Sequence, residues 1–118
     1  MLASPIEILR AAQASGYKVL AIEHPRSRRW LLTLQDTAGG ISLLMVQSRP
    51  LIGATDVLDL ADLVRVRRLV SGILWAYDGR FSPAAQRTSS EIGERSIVLC
   101  TTWPPSFGTQ TPAPVLNP

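Results

Sequence analysis

The chain has 118 residues, 46% of them hydrophobic, which is enough for one domain with a single ordinary core. Its 12 basic and 9 acidic residues give a net charge of +3, too small an excess for a polycation, and its single cysteine, Cys100, excludes an internal disulfide and a cysteine-based zinc site. There is no apolar run of 18 or more residues, and Pro5 and Glu7 interrupt the stretch where a secretory signal would need one, so we expect a cytoplasmic protein without a membrane span.

All but one of the basic residues are arginine. Guanidinium groups match phosphate oxygens and base edges with paired hydrogen bonds, so this preference favours nucleic acid as a partner. A GC-rich genome, whose codons favour arginine over lysine, explains the same preference without any function. Composition leaves both explanations open.

The N-terminal segment predicts a helix followed by a strand. Ser4 at the cap, Pro5 at the first helical position and Glu7 three residues after the cap form a capping box, so a helix should run over residues 5–15. The segment YKVLAIE that follows Gly16 is apolar on both faces, which is typical of a strand. The next six residues, HPRSRR, should form a charged loop.

A β-hairpin is predicted next. The apolar segments 30–35 (WLLTLQ) and 41–47 (ISLLMVQ) flank a glycine-containing turn at 36–40 (DTAGG), and this arrangement is the usual hairpin signal. The third strand should therefore end at Gln47.

A second helix is predicted to begin at Thr55 and Asp56, where the carboxylate lies near the positive end of the helix dipole. Its apolar residues recur with helical spacing and should pack on a sheet: Val57, Leu60, Ala61 and Val64. The same spacing leaves three charged residues to solvent: Asp59, Asp62 and Arg65.

The C-terminal half alternates strand and helix. Residues 71–77 (SGILWAY) predict a short buried strand, Ser82 and Pro83 begin a third helix that reaches about residue 91, and residues 96–101 (SIVLCT) predict the last strand, with Cys100 as a small buried hydrophobe. The remaining stretch is rich in proline and lacks charged side chains, which is typical of a disordered tail. The predicted domain covers residues 1–102 and the predicted tail residues 103–118.

Familiar enzyme signatures are missing from the sequence: the phosphate-binding loop, the dinucleotide fingerprint, the zinc-protease motif and the hydrolase nucleophile elbow. His24 is the one histidine, so a Ser-His-Asp arrangement would depend on a loop residue that precedes Pro25. A solvated loop histidine is the simpler interpretation.

The predicted order of elements is α-β-β-β-α-β-α-β, an α/β fold with a mixed central sheet flanked by helices. The first helix ends in GYKV, the third strand ends in VQSR, and the segment GILWAYDGRFSPAA is followed by IVLC. With these motifs in this order, residues 6–102 resemble the restriction-endonuclease-like superfamily, and within it the Mrr-type nuclease domains. The segment FSPAA after a short apolar strand is the most specific part of the resemblance.

The resemblance implies metal-dependent hydrolysis of phosphodiester bonds in DNA. In that family a carboxylate at the start of the second strand and a carboxylate or Gln at the end of the third hold Mg²⁺, and a Lys two residues later positions or activates the attacking water. Gln47 matches the metal-binding Gln, whereas Arg49 stands in the place of the Lys and, being permanently charged, cannot act as a general base. The place of the carboxylate falls near Arg29 and Trp30, neither of which is a magnesium ligand.

Other carboxylates are candidates to complete the site. Glu7 is the third predicted catalytic residue, because some members of the family place an extra ligand on the first helix; the capping box is its structural alternative. Glu23, which closes the first strand, is a further candidate. Asp36 lies a whole strand, about 20 Å, from Gln47 and is too far to share a metal.

The predicted DNA contacts are arginines near this site: Arg26, Arg28, Arg29, Arg49 and Arg80. A second run at the end of the second helix is a weaker candidate, because cations there also suit the helix dipole: Arg65, Arg67 and Arg68. For every one of them a solvated charge is the structural alternative.

These observations lead to three hypotheses. The first is a DNA-binding restriction-endonuclease-like domain that has lost, or nearly lost, metal-dependent cleavage and needs no cofactor. The second is an active Mg²⁺-dependent endonuclease with a relocated carboxylate, Glu7 or Glu23. The third is a protein-interaction module that uses an exposed sheet edge or the tail. Because nucleases that cut both strands commonly dimerise, a homodimer is a further arrangement to test.

Overall fold

The computed structural model describes residues 4–92 and 96–104 of the chain. These residues form three helices: α1 (Pro5–Ala14), α2 (Ala54–Val66) and α3 (Pro83–Glu91). They also form seven strands: β1 (Lys18–Arg26), β2 (Arg29–Gln35), β3 (Ile41–Gln47), β4 (Leu51–Ile52), β5 (Ser71–Ala76), β6 (Arg80–Phe81) and β7 (Ser96–Cys100). None of these three helices is long and apolar enough to cross a membrane.

A five-stranded mixed sheet forms the centre of the fold, in the order β1-β2-β3-β5-β7. β1, β2 and β3 are antiparallel neighbours, whereas β3, β5 and β7 run parallel. Helices α2 and α3 make the crossovers that parallel neighbours require. The predicted α/β order, with a mixed sheet flanked by helices, is confirmed; the two-residue strands β4 and β6, which pair with each other, were not predicted.

Both faces of the central sheet are covered by helices. Leu31, Leu43 and Met45 pack beneath α2 and α3, on what we call the α2 face. The alternate residues Leu32 and Leu44 pack against α1, on the α1 face. Since both faces are buried along β2 and β3, these strands appear in the sequence as continuous apolar runs.

Helix α2 approaches the sheet closely at Gly72 of β5. A Cβ atom at this position would lie 2.9 Å from Cγ2 of Val64 and 3.0 Å from Cγ of Leu60, closer than side chains normally pack. The glycine therefore lets α2 lie closely against the sheet.

The predicted helix starts after Ser4 and Ser82 are confirmed, but they differ in capping. The Ser82 hydroxyl accepts a hydrogen bond from the amide three residues on, at 3.0 Å. Ser4 makes no side-chain cap hydrogen bond, so the predicted capping box with Glu7 is wrong. α2 begins after Gly53 rather than at Thr55: Gly53 is the N-cap, and its amide donates to Oδ2 of Asp56, the third residue of the helix, at 3.1 Å.

The charged loop predicted over residues 24–29 is largely strand. β1 continues to Arg26 and β2 begins at Arg29, so that a two-residue turn joins them. Backbone pairing at a sheet edge needs no apolar side chains, which is why polar residues did not end the strand. β1 is exposed along almost its whole length and forms one edge of the sheet.

Trp103, which the sequence assigns to the tail, packs against α1. Its Nε1 donates to the carbonyl oxygen of Ala11 at 2.9 Å and to the hydroxyl of Ser15 at 2.7 Å, and its ring lies beside Tyr17 and Trp75. The packed part of the chain therefore reaches Trp103. Positions 105–118 of the predicted tail lie outside the described residues.

Cys100 is buried at the end of β7, as predicted. Burial raises the pKa of its thiol to about 12, so the thiol stays protonated at neutral pH. The prediction of a small buried hydrophobe is confirmed.

Candidate functional site

The carboxyl ends of β3 and β5 meet the start of β2 at one edge of the sheet. The register pairs Arg29 of β2 with Gln47 of β3, and Gln47 with Ala76 of β5. Arg29 and Gln47 belong to the same alternating set as Leu31 and Met45, so their side chains lie on the α2 face. The predicted position of the missing carboxylate, at Arg29, is therefore directly beside Gln47.

Arg29 is the buried cation of this edge, with only 5% of its surface exposed. Its Nε donates to Oε1 of Gln47 at 3.2 Å. Its Nη2 donates to Oδ1 of Asp56 at 3.0 Å and to Oδ2 of Asp59 at 3.3 Å. The guanidinium thus lies against an amide oxygen and two carboxylates, which offset the cost of burying its charge.

Asp56, in the first turn of α2, is the buried anion that faces this cation. Its Oδ1 accepts from Arg29 and also from Nε2 of Gln47, at 2.5 Å. Its Oδ2 accepts from Nη2 of Arg49 at 2.5 Å and from the backbone amide of Gly53 at 3.1 Å. A carboxylate offers about four lone-pair sites, so these donors use its whole accepting capacity.

Arg49 joins the buried network to the surface. Its Nη2 is paired with Asp56, yet 42% of its side chain is exposed. Its Nε is buried and has no hydrogen-bond acceptor among the described residues. The guanidinium therefore keeps donor capacity that the protein does not use.

This arrangement does not fit a divalent cation. Mg²⁺ binds oxygen ligands, usually including a carboxylate. The oxygens of Gln47 and Asp56 instead face the guanidinium groups of Arg29 and Arg49, and a metal among them would lie beside two like charges. In the part of the chain that the structure describes, no three His, Cys, Asp or Glu side chains are grouped so as to hold a metal ion.

Glu7, predicted as catalytic, is not brought to Gln47 and Arg49. It lies on α1, which packs on the α1 face, whereas Gln47 lies on the α2 face. The exposed Glu7 carboxylate accepts from the hydroxyl of Tyr77 at 3.3 Å. Burial, followed by the negative charge of Glu7, raises the pKa of the Tyr77 hydroxyl.

Glu23 and Asp36, the other carboxylates considered, have their own partners. Glu23 is paired with Arg67 through two hydrogen bonds of 2.7 and 3.1 Å, and these bonds hold the pKa of the Glu23 carboxyl below its usual value. Asp36 accepts from the amides of Ala38 and Gly40 in the hairpin turn, at the opposite end of β3 from Gln47. The predicted separation of Asp36 from the site is confirmed.

The other predicted DNA-contacting arginines line adjoining surface depressions at this edge. One depression of about 190 Å³ is lined by Arg26, Ser27, Arg28, Arg29, Gln47 and Arg49. The next, of about 90 Å³, shares Arg28 and Arg49 and adds Pro50 and Asp78. A third, of about 500 Å³, shares Pro50 and Asp78 and adds Arg80. We call this row the arginine edge, defined by Arg26, Arg28, Arg49 and Arg80.

The loop that carries Arg49 is held against the turn after β5. The amide of Arg80 donates to the carbonyl oxygen of Pro50 at 3.0 Å, and the amide of Ser82 donates to that of Ile52 at 2.9 Å. A Cβ atom at Gly79 would overlap the carbonyl oxygen of Arg49. Glycine at this position is therefore required for the close approach of the two segments.

Asp56 and Asp59 are the site residues that the sequence analysis missed. From the sequence, Asp56 is expected only to favour the helix dipole, and Asp59 is expected to face solvent. Asp56 lies four residues before the buried Leu60 and so extends the buried stripe by one turn, which is the signal that was available. The contact of Asp59 with Arg29 needed the register of β2 and had no such signal.

Comparisons with known proteins identify the fold but no family. No protein-family model and no curated protein match the chain. A solved structure described as "Structure of EndoMS in apo form" is similar with a TM-score of 0.59 and 21% sequence identity, over 77% of this chain and 44% of the EndoMS chain. The chain thus spans less than half the length of that protein. The observed α/β architecture, a five-stranded mixed sheet flanked by helices, is consistent with the restriction-endonuclease-like order of elements that the sequence predicted.

Proposed function

We propose that this chain is a DNA-binding domain that contacts phosphates through the arginine edge and does not cleave DNA with a divalent metal. One observation carries the proposal: the guanidinium of Arg29 lies between the oxygens of Gln47 and Asp56, beside which a metal would have to bind. Because an arginine side chain is permanently charged in proteins, a metal at this place would lie beside a like charge.

The unused donors of Arg49 support phosphate binding. Its Nη2 is paired with Asp56, yet 42% of the side chain is exposed, and it lines the depressions that it shares with Arg26 and Arg28. A phosphate oxygen could accept from the exposed part of the guanidinium and add a second counter-charge. The structural likeness to EndoMS, an endonuclease, agrees with DNA as the partner.

A salt series tests DNA binding. Fluorescence anisotropy with a labelled duplex should show an affinity that falls steeply as NaCl rises, because each phosphate contact releases counterions. Arg49→Ala and Arg28→Ala should each reduce the slope of log K against log salt by about 1. Arg10→Ala, an exposed arginine of α1, is the matched control and should leave the slope unchanged.

A cleavage assay tests the second half of the proposal. Supercoiled plasmid incubated with the protein and Mg²⁺ or Mn²⁺ should remain supercoiled. Nicked or linear plasmid that disappears on addition of EDTA, and with Arg49→Ala, would favour the active-nuclease hypothesis instead. Binding that is absent at low salt would favour the protein-interaction hypothesis.

A further inference from the structure

β1 contains an irregularity near its C-terminal end that redirects a side chain. Glu23 pairs with Leu31 and Arg26 pairs with Arg29, so two residues of β1 stand opposite Trp30 alone. This is a β-bulge, and its second residue is Pro25, which has no amide hydrogen to lose from the ladder. Bulges bend a strand locally and redirect the side chains within it.

The redirected side chain is His24, which stacks on Trp30. The ring centroids are 3.8 Å apart and the planes differ by 8°. Trp30 is partly buried against the core of the α1 face, so it forms a fixed base, whereas His24 is exposed. One face of the imidazole lies on the indole, and the rest of the ring is turned to solvent.

Arginines lie close in sequence to this stacked pair, and the acid that precedes it, Glu23, is paired with Arg67. Residues 24–30 read HPRSRRW, without Asp or Glu, and Arg26 and Arg28 are exposed. Arg28 is fixed against β3, because its Nη1 donates to the carbonyl oxygen of Ser48 at 3.2 Å and its own carbonyl accepts from the Ser48 amide at 2.9 Å. The hairpin end therefore presents a planar ring beside anchored positive charge.

A planar ring beside cations matches the chemistry of an unpaired nucleotide. Each base has a π face that stacks on an aromatic side chain, and its flanking phosphates pair with arginine. In a duplex that face is covered by the neighbouring base pairs, so a stacking platform has nothing to bind there. We propose that the hairpin end binds an unpaired DNA base by stacking it on His24, with Arg26 and Arg28 on the flanking phosphates. This inference rests on the proposed DNA binding and adds the form of DNA that is preferred.

The test compares two labelled DNAs by anisotropy: a fully paired duplex and the same duplex with one additional unpaired base. The wild-type protein should bind the duplex with the unpaired base roughly tenfold more tightly than the fully paired duplex. A difference of this size is within the range expected for stacking one base. His24→Ala should remove this preference while leaving the affinity for the paired duplex unchanged. His24→Phe keeps a stacking ring without a titratable group and should restore it.

A stability control and the choice of DNA separate the failure of this inference from a folding defect and from the failure of the proposed function. His24 is exposed, and thermal unfolding of His24→Ala should match that of wild type, so a loss of preference reports on binding and not on folding. Equal binding of both DNAs by wild type, with the expected salt dependence, would overturn this inference and leave the proposed DNA binding intact. An unchanged preference in His24→Ala would overturn it as well. Absence of binding to either DNA would overturn the proposed function too.

Discussion

Two arginine–carboxylate pairs on the α2 face differ in their surroundings rather than in their distances. Arg29 and Asp56 lie 3.0 Å apart with 6% and 8% of their side chains exposed. Arg67 and Glu23 lie 2.7 Å apart with 32% and 43% exposed. Water can replace either partner of the second pair but not of the first. Burial, rather than contact length, therefore decides which pair the fold depends on.

The largest effect is expected for Asp56→Ala. The change leaves Arg29 buried without its main counter-charge and removes the acceptor of Gln47 and Arg49, so we expect the free energy of unfolding to fall by about 3–5 kcal/mol. Urea denaturation measures it. Asp62→Ala, which removes an exposed i,i+3 partner of Arg65, is the control, with an expected change within about 0.5 kcal/mol. Equal losses of stability in the two variants would show that burial does not decide which ion pair the fold depends on.

A smaller loss is expected for Arg29→Ala, because Arg49 still neutralises Asp56. We expect about 2–4 kcal/mol, with a double variant Arg29→Ala/Asp56→Ala that loses less than the sum of the two single changes. The measurement is a double-mutant cycle in urea. Strict additivity would mean that the two side chains do not act as one network.

Gly79→Ala tests the packing that positions Arg49. The added Cβ overlaps the Arg49 carbonyl oxygen, so the turn or the loop must shift, at a cost of about 1–3 kcal/mol, and DNA affinity should fall with it. Gly53→Ala is the control, since no atom lies within 4 Å of its Cβ position. A Gly79→Ala protein with unchanged thermal midpoint and DNA affinity would show that Arg49 does not need this close approach.

The smallest effect is expected at the exposed pair. Glu23→Gln should lower stability by at most about 1 kcal/mol, because water and salt screen this contact. The folded pKa of Glu23 is depressed below 4.5 by its hydrogen bonds with Arg67, so its contribution is present above pH 4.5 and fades as the pH falls through the folded pKa. Wild type and Glu23→Gln should therefore differ in stability at pH 7, and the difference should shrink as the pH falls through the folded pKa of Glu23. A stability difference that increases as the pH falls would contradict this prediction.

The fold was predictable from the sequence where local signals agreed. The glycine turn between two apolar runs gave the bounds of β3, and Ser82 with Pro83 gave the start of α3. The end of β1 was not predictable in this way. Its continuation to Arg26 depends on pairing with β2 and on a bulge at Pro25, neither of which is a property of the segment itself.

The candidate site was predictable only along single strands. The order of elements predicted Gln47 and the position of Arg29 as parts of the site. Their contacts with Asp56 were not predictable, because these contacts join two strands to a helix. Gln47 ends a strand, where a polar side chain usually meets water, yet it is almost fully buried. The roles of Arg26, Arg28, Arg29, Arg49 and Arg80 in DNA contact stay predictions, as does a homodimer. Of these arginines, Arg29 is buried against Gln47 and Asp56.

Calorimetric titration of the wild-type protein with Mn²⁺ at neutral pH tests the central claim most directly. Because the Arg29 guanidinium lies against the oxygens of Gln47 and Asp56, we predict heats no larger than those of dilution. A saturable heat that disappears in Asp56→Asn or Gln47→Ala would mean that the metal displaces the guanidinium, and would contradict the account.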